Sequence, residues 1–300
     1  PLGGGLLIVA AWLWLVGSDA LLTALARANW FALLPLPALT AAWFLVRFVR
    51  SQFLLRRAGV RVPVRPALAT YIASLPGTAT PAYLGEAIRS LLLRRRFGAS
   101  MRLTLLSLMV ERLHDVAALA LLAIVFSADG LLLGTGFLVV VASRSAASRA
   151  VSLETFVNDN RAALLHSATA AIPAFTLSVI AWFAAGLLYT QAGRALGLSI
   201  PTLDGVGVMA FSTLIGALTL LPAGVGATGS AAILELQATM STIDAVAVVT
   251  LVRLGSTGVA LGLGALFLIR ELRRPTTEPE GEAHAEAHPA DWAAERTPHG

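Results

Sequence analysis

The chain has 300 residues, 57% of them hydrophobic and only 13% charged, with a mean hydropathy of +0.77. Soluble domains carry about 25% charged residues, so a water-soluble fold would have more apolar surface than it can hide. All 22 basic residues are Arg, and the absence of Cys excludes a disulfide framework, a Cys-based zinc site and an iron–sulfur cluster. The net charge of +5 is segregated, with Arg clusters beside apolar segments and acids near the C-terminal end. That pattern suits anionic lipid headgroups as partners, and not nucleic acid.

A hydrocarbon core of about 30 Å takes about 20 apolar residues of helix. Segments of this kind are residues 5–26, 30–48, 103–126, 131–142, 164–189 and 245–269. Residues 6–16 followed by Ala24-Leu25-Ala26 have the outline of a secretory signal. No basic residue precedes them and further apolar segments follow, so a first spanning helix is expected. Two more apolar stretches are interrupted: residues 67–84 by Pro76-Gly77 and Pro81, and residues 206–236 by Pro222-Ala223-Gly224-Val225-Gly226.

Arginine placement orients these segments. Arg47, Arg50, Arg56, Arg57, Arg61 and Arg65 form a dense basic stretch expected on the cytoplasmic side, and Arg94, Arg95, Arg96 and Arg102 form a second. The first interrupted stretch then begins and ends on one side, as a re-entrant hairpin. Arg144, Arg149 and Arg161 return the chain to the cytoplasm, and Arg270, Arg273 and Arg274 close it there. The second interrupted stretch is left to dip in from the outer face. The expectation is an all-α polytopic membrane bundle of six full spans and two re-entrant helical hairpins, in residues 1–274. Both termini are expected on the cytoplasmic side of the inner membrane. Residues 275–300 are rich in Glu and Pro with few aliphatics, and read as a disordered cytoplasmic tail. Its His284, His288 and His299 are too loosely spaced to suggest a metal site.

The two interrupted stretches echo each other. Pro76 is followed 36 residues later by Arg112, and Pro222 is followed 31 residues later by Arg253, each Arg inside an apolar run. Interrupted segments at matching places in two halves are the mark of a transporter-like inverted repeat with a midplane site.

Charged side chains inside lipid cost roughly 2.5–3.5 kcal/mol each at a helix centre, so those found there need partners or a polar cavity. Glu111, Arg112, His114 and Asp115 all sit within the apolar segment 103–126. Glu111 and Asp115 share a face, whereas Arg112 points elsewhere; its expected partner is Glu86 or a bound phosphate. Glu86 and Arg89 are spaced to pair at i, i+3. Backbone N–H groups freed between Pro76 and Pro81 offer an anion site. Arg253 has Glu235, on the outgoing arm of the second interrupted stretch, as its expected partner, and residues 222–229 offer bare backbone without charge. Three uses of the cluster stand beside one another: a lipid path, an ion-pair lock between helices, and catalysis. Glu111 and His114 alone do not make a metal motif, and neither a catalytic residue nor a cofactor is expected.

The run Pro81-x-x-x-Gly85-Glu86-x-x-Arg89, then Glu111-Arg112-Leu113, Pro222-x-Gly224-Val225-Gly226 and Arg253-Leu254 resembles the lysylphosphatidylglycerol synthase transmembrane-region family of flippase-like proteins, over residues 41–269. The resemblance implies a protein that moves or accommodates anionic or polyprenyl-linked lipids across the inner membrane. Bifunctional members add a cytoplasmic domain that aminoacylates phosphatidylglycerol; with only the acidic tail after the last helix, that activity is expected to be absent here. The family often has an acid just after Gly-x-Gly, where this chain has Ala227-Thr228-Gly229. The polar path implied is Gly85, Glu86, Arg89, Glu111, Arg112, Asp115 and Arg253. The competing readings are an intramembrane enzyme, or an anchor for a partner synthase or glycosyltransferase.

Overall fold

The computed structural model describes residues 18–79, 85–127, 129–136, 138–139, 167–219 and 226–274. Every regular element named among them is helical. The expected acidic tail and the breaks at Pro81, Pro222 and Gly224 lie outside the described residues, as do parts of the segments expected at 5–26 and 131–142.

After a short helix α1 (Ser18–Ala26), the Asn29 side chain accepts from the backbone N–H of Phe31 and Ala32 and caps a 3-10 turn, Trp30–Leu33. Helix α2 (Pro35–Arg57) starts with Pro at its first position, where no N–H is needed. It ends because Gly59 takes φ +76, letting Val60 N–H reach back to the Leu55 carbonyl. Trp30 and Phe31 are largely exposed, as befits an interfacial aromatic girdle.

Helix α3 (Val64–Ser74) runs into a 3-10 turn, Leu75–Ala79, and α4 (Ile88–Phe97) brings the chain back. Gly77 is needed at this tip: a Cβ there would stand 2.2 Å from the Gly85 carbonyl carbon. Helix α5 (Met101–Phe126) begins at a Ser100 cap. Helix α6 (Ala168–Ala195) lies antiparallel to α2: Arg57 reaches Thr169 at one end, and Asn29 N–H meets the Ala195 carbonyl at the other. The second hairpin is α7 (Thr202–Thr219) and α8 (Ala227–Leu236), the latter opening at Gly226 with φ +87. Helix α9 (Thr242–Arg253) is capped by Ser241, passes through a π-helical turn, Leu254–Gly258, and continues as α10 (Val259–Leu272).

Among the described residues, three stretches are long and apolar enough to cross a membrane: Trp30–Arg57, Thr169–Ala195 and Thr242–Leu272. The helix expected over residues 30–48 therefore runs nine residues further, which carries Arg47 and Arg50 inside it. The two hairpins open at opposite ends of the bundle. The open end of the first lies beside the C-terminal end of α10, where Arg96 bonds Glu271 at 2.8 Å. The open end of the second lies at the far end, where Ser127 donates to Glu235 and Gly207 packs on the Phe126 carbonyl.

Two apolar cores fill the bundle. One is built from the second half of α5 with α6, α7, α8 and α9, and the other from α2, α3, α4 and the first half of α5. Along α5 they are separated by Glu111 to Asp115, and the charged layer sits there.

Candidate functional site

Seven charged side chains from three segments converge in that layer. From α2 come Arg47 and Arg50, from the returning arm of the first hairpin Glu86 and Arg89, and from α5 Glu111, Arg112 and Asp115. All except Arg112 are buried, Arg50 completely. At about 1.5 Å per residue, Arg50 lies seven residues in from Arg57 and Glu111 ten in from Met101. The layer is thus about 10–15 Å deep from the arginine-rich end, inside a core of about 30 Å.

Each carboxylate is saturated by cations. Asp115 takes Arg50 through both guanidinium nitrogens, the second at 3.1 Å, and also accepts from the Trp182 indole at 2.9 Å and pairs with Arg112 at 3.3 Å. Glu111 pairs with Arg89 at 2.7 Å and Arg50 at 3.7 Å. Glu86 pairs with Arg112 at 2.9 Å and Arg47 at 3.4 Å. Arg50 also donates to Ser178, so it ties α2, α5 and α6 together. Aromatic faces complete the cations' surroundings: Arg47 lies 5.7 Å from the Trp43 ring centroid and 5.9 Å from that of Trp182, and Arg89 lies 5.6 Å from that of Tyr71.

Beside this layer is a partly open cavity of about 80 Å³. Both hairpins reach it, the first through Thr78 at its tip and the second through Thr213 and Thr228. Arg47, Arg112 and Arg253 project cations to it, and Ser256 and Thr257 of the π-helical turn add hydroxyls. Trp43, Phe44, Trp182 and Tyr189 form its aromatic wall. A π-helical turn widens a helix by one residue and often marks a working site. Here the widened carbonyl of Gly255 is held by the Thr40 hydroxyl at 2.9 Å.

The family model for the lysylphosphatidylglycerol synthase TM region matches residues 3–264. The chain belongs to that family. Against curated proteins the sequence finds no match. Membership in the lysylphosphatidylglycerol synthase transmembrane-region family makes it a membrane protein connected with lipid metabolism or transport.

In this family member Arg112 meets Glu86, the partner expected from sequence, and Arg112 and Arg253 line one cavity although they lie in different halves of the chain. Three expectations are corrected. Glu86 does not take Arg89; α4 turns the Arg89 guanidinium onto Glu111, and Glu86 is occupied by Arg112 and Arg47. Glu235 accepts from Ser127 at the α5 C-terminus, while Arg253 lines the cavity at the other end of α9. Arg47 and Arg50 are not surface cations of a basic loop but the core of the ionic layer. Their signal was present in the sequence: Trp43, Arg47, Arg50 and Leu54 fall on one helical face. Gly85 and Pro76 serve packing, Gly85 against Gly77 and Pro76 against Gly264. His114 bonds the Val110 carbonyl through Nδ1, and no metal-holding group of acids and histidines occurs among the described residues.

Proposed function

We propose that this protein is a non-enzymatic, flippase-like carrier of anionic or polyprenyl-linked lipids. The headgroup sits in the cavity between the hairpin tips, against Arg112 and Arg253. The carrying observation is that three guanidiniums, of Arg47, Arg112 and Arg253, line a cavity that both hairpins reach. Hairpins that open at opposite ends and meet at one polar site suit alternating access. The acids nearest the site support holding charge over moving protons, since each is neutralised by guanidinium groups. The arginine-rich end is the cytoplasmic side of an inner membrane by the positive-inside rule. Residues 1–274 act as one membrane domain, with residues 275–300 a cytoplasmic appendage.

Reconstitution into liposomes with a fluorescent anionic lipid tests this reading. Arg253→Ala and Arg112→Ala are each expected to slow flip-flop at least about tenfold, the equivalent of about 1.4 kcal/mol in the barrier. Arg112→Lys, which keeps a cation for Glu86, separates loss of the headgroup contact from loss of folding. Unchanged flip-flop in both alanine variants sinks the proposal. Chemical turnover of a lipid substrate that Glu111→Gln abolishes would replace it with the enzyme reading.

A further inference from the structure

The cavity also narrows the chemistry of its ligand, an inference that rests on the reading just given. Arg47, Arg112 and Arg253 line it and, among the described residues, no carboxylate does. In the layer behind it, the guanidiniums of Arg47, Arg50, Arg89 and Arg112 surround the carboxylates of Glu86, Glu111 and Asp115. Four against three leaves a formal excess of one positive charge in the layer, and Arg253 brings a further guanidinium to the cavity.

A second observation points to an acceptor atom. Trp43 Nε1 and Arg47 Nε are buried N–H groups without an acceptor among the described residues, and both residues line the cavity. They are one helical turn apart on α2 and so on one face. Buried N–H groups are normally paired, so an acceptor belongs beside these two. Thr78, Thr213 and Ser256 donate their own protons to acceptors of their own segments.

A phosphate monoester carries about −1.5 to −2 charge at pH 7 and three acceptor oxygens. A phosphodiester carries less charge and has fewer free oxygens. An aminoacylated headgroup brings an ammonium, which would face guanidiniums across the cavity with no acid to receive it. We infer that the cavity takes a lipid's terminal phosphate, as a monoester or diphosphate, in preference to a phosphodiester headgroup, and rejects a headgroup bearing an ammonium. Trp43 and Arg47 are then ligand contacts alongside Arg112 and Arg253.

Thermal unfolding of the full chain in detergent, titrated with four probes, tests this: short-chain phosphatidate, phosphatidylglycerol, lysyl-phosphatidylglycerol and inorganic phosphate. Phosphatidate is expected to raise Tm at concentrations at least about tenfold below phosphatidylglycerol, with no shift from the lysyl lipid. Trp43→Phe keeps a ring against Arg47 but removes the N–H. It should melt like the parent without ligand and lose about tenfold in phosphatidate affinity, as expected for a hydrogen bond to a charged group. Equal response to phosphatidate and phosphatidylglycerol, a shift from the lysyl lipid, or a Trp43→Phe titration identical to the parent's would overturn the inference. Inorganic phosphate acting as well as phosphatidate would overturn its lipid half. Flip-flop of every anionic lipid without preference would overturn this inference alone. Selective phosphatidate binding without any flip-flop would support the site and overturn the transport reading.

Discussion

Glu86 and Arg89 tie the returning arm of the first hairpin to α2 and α5 by ion pairs, whereas the second hairpin, α7 and α8, meets the same bundle through close approach at glycines and the Ser127–Glu235 hydrogen bond. A Cβ on Gly207 would stand 2.1 Å from the Phe126 carbonyl oxygen, and one on Gly186 2.5 Å from the Val206 Cα. Close backbone approach is a common way for helices to associate in lipid, where apolar side chains gain nothing by leaving one apolar medium for another. Ion pairs work differently. They must be complete, because a buried charge that loses its partner cannot turn to water. The two hairpins therefore differ in their means of attachment, yet both contribute hydroxyls to the cavity, Thr78 from the first and Thr213 and Thr228 from the second, while its cations come from α2, α5 and α9.

The contrast can be broken by disturbing each attachment in turn. Glu111→Leu removes the carboxylate shared by Arg89 and Arg50 and leaves both guanidiniums buried. Breaking a buried pair costs about 3–5 kcal/mol, so this variant should give the largest fall in Tm and in folded yield from detergent extracts. A Tm equal to the parent's would mean that the first hairpin is not held by charge. Gly207→Val should cost less, about 1–3 kcal/mol, by forcing α7 off the end of α5. Unlike Glu111→Leu, it should be insensitive to whether the neighbouring acids are present, which a double variant with Glu111→Leu checks by additivity. The smallest effect is expected at the arginine-rich end, where Glu271 takes Arg96 at 2.8 Å and Arg274 at 3.3 Å. Both arginines are partly exposed, so Glu271→Gln should cost about 1 kcal/mol or less. It should speed tryptic cleavage at Arg94, Arg95 and Arg96 by freeing the end of α4, and an unchanged cleavage rate would argue that this contact does not hold the hairpin closed.

Much of this arrangement could be read before any coordinates. Apolar length marks the long helices Trp30–Arg57, Thr169–Ala195 and Thr242–Leu272, and Pro76-Gly77 marks the tip of a hairpin because Pro withholds an N–H and Gly admits a second backbone. Three charges within one apolar run, Glu111, Arg112 and Asp115, announce a buried polar layer. Arg47 and Arg50 were obscured by their neighbours. They belong to a series of arginines continuing through Arg56, Arg57, Arg61 and Arg65, and a count of charge along the chain sees one basic loop. Only the helical face they share with Trp43 and Leu54 separates the buried pair from the exposed ones.

Composition and apolar length alone establish an all-helical membrane protein, because lipid admits only helices and closed barrels, and apolar runs of about 20 residues suit the helix. The sequence also determined which residues were too polar for lipid. The tertiary structure alone decided which acid meets which arginine, and so placed Arg89 on Glu111 instead of on its neighbour in sequence. It likewise decided that Arg112 and Arg253, far apart in the chain, line one cavity. Spacing along a helix fixes the face a side chain leaves from, but a partner is chosen by whichever helix packs against that face, and long arginine side chains can reach several.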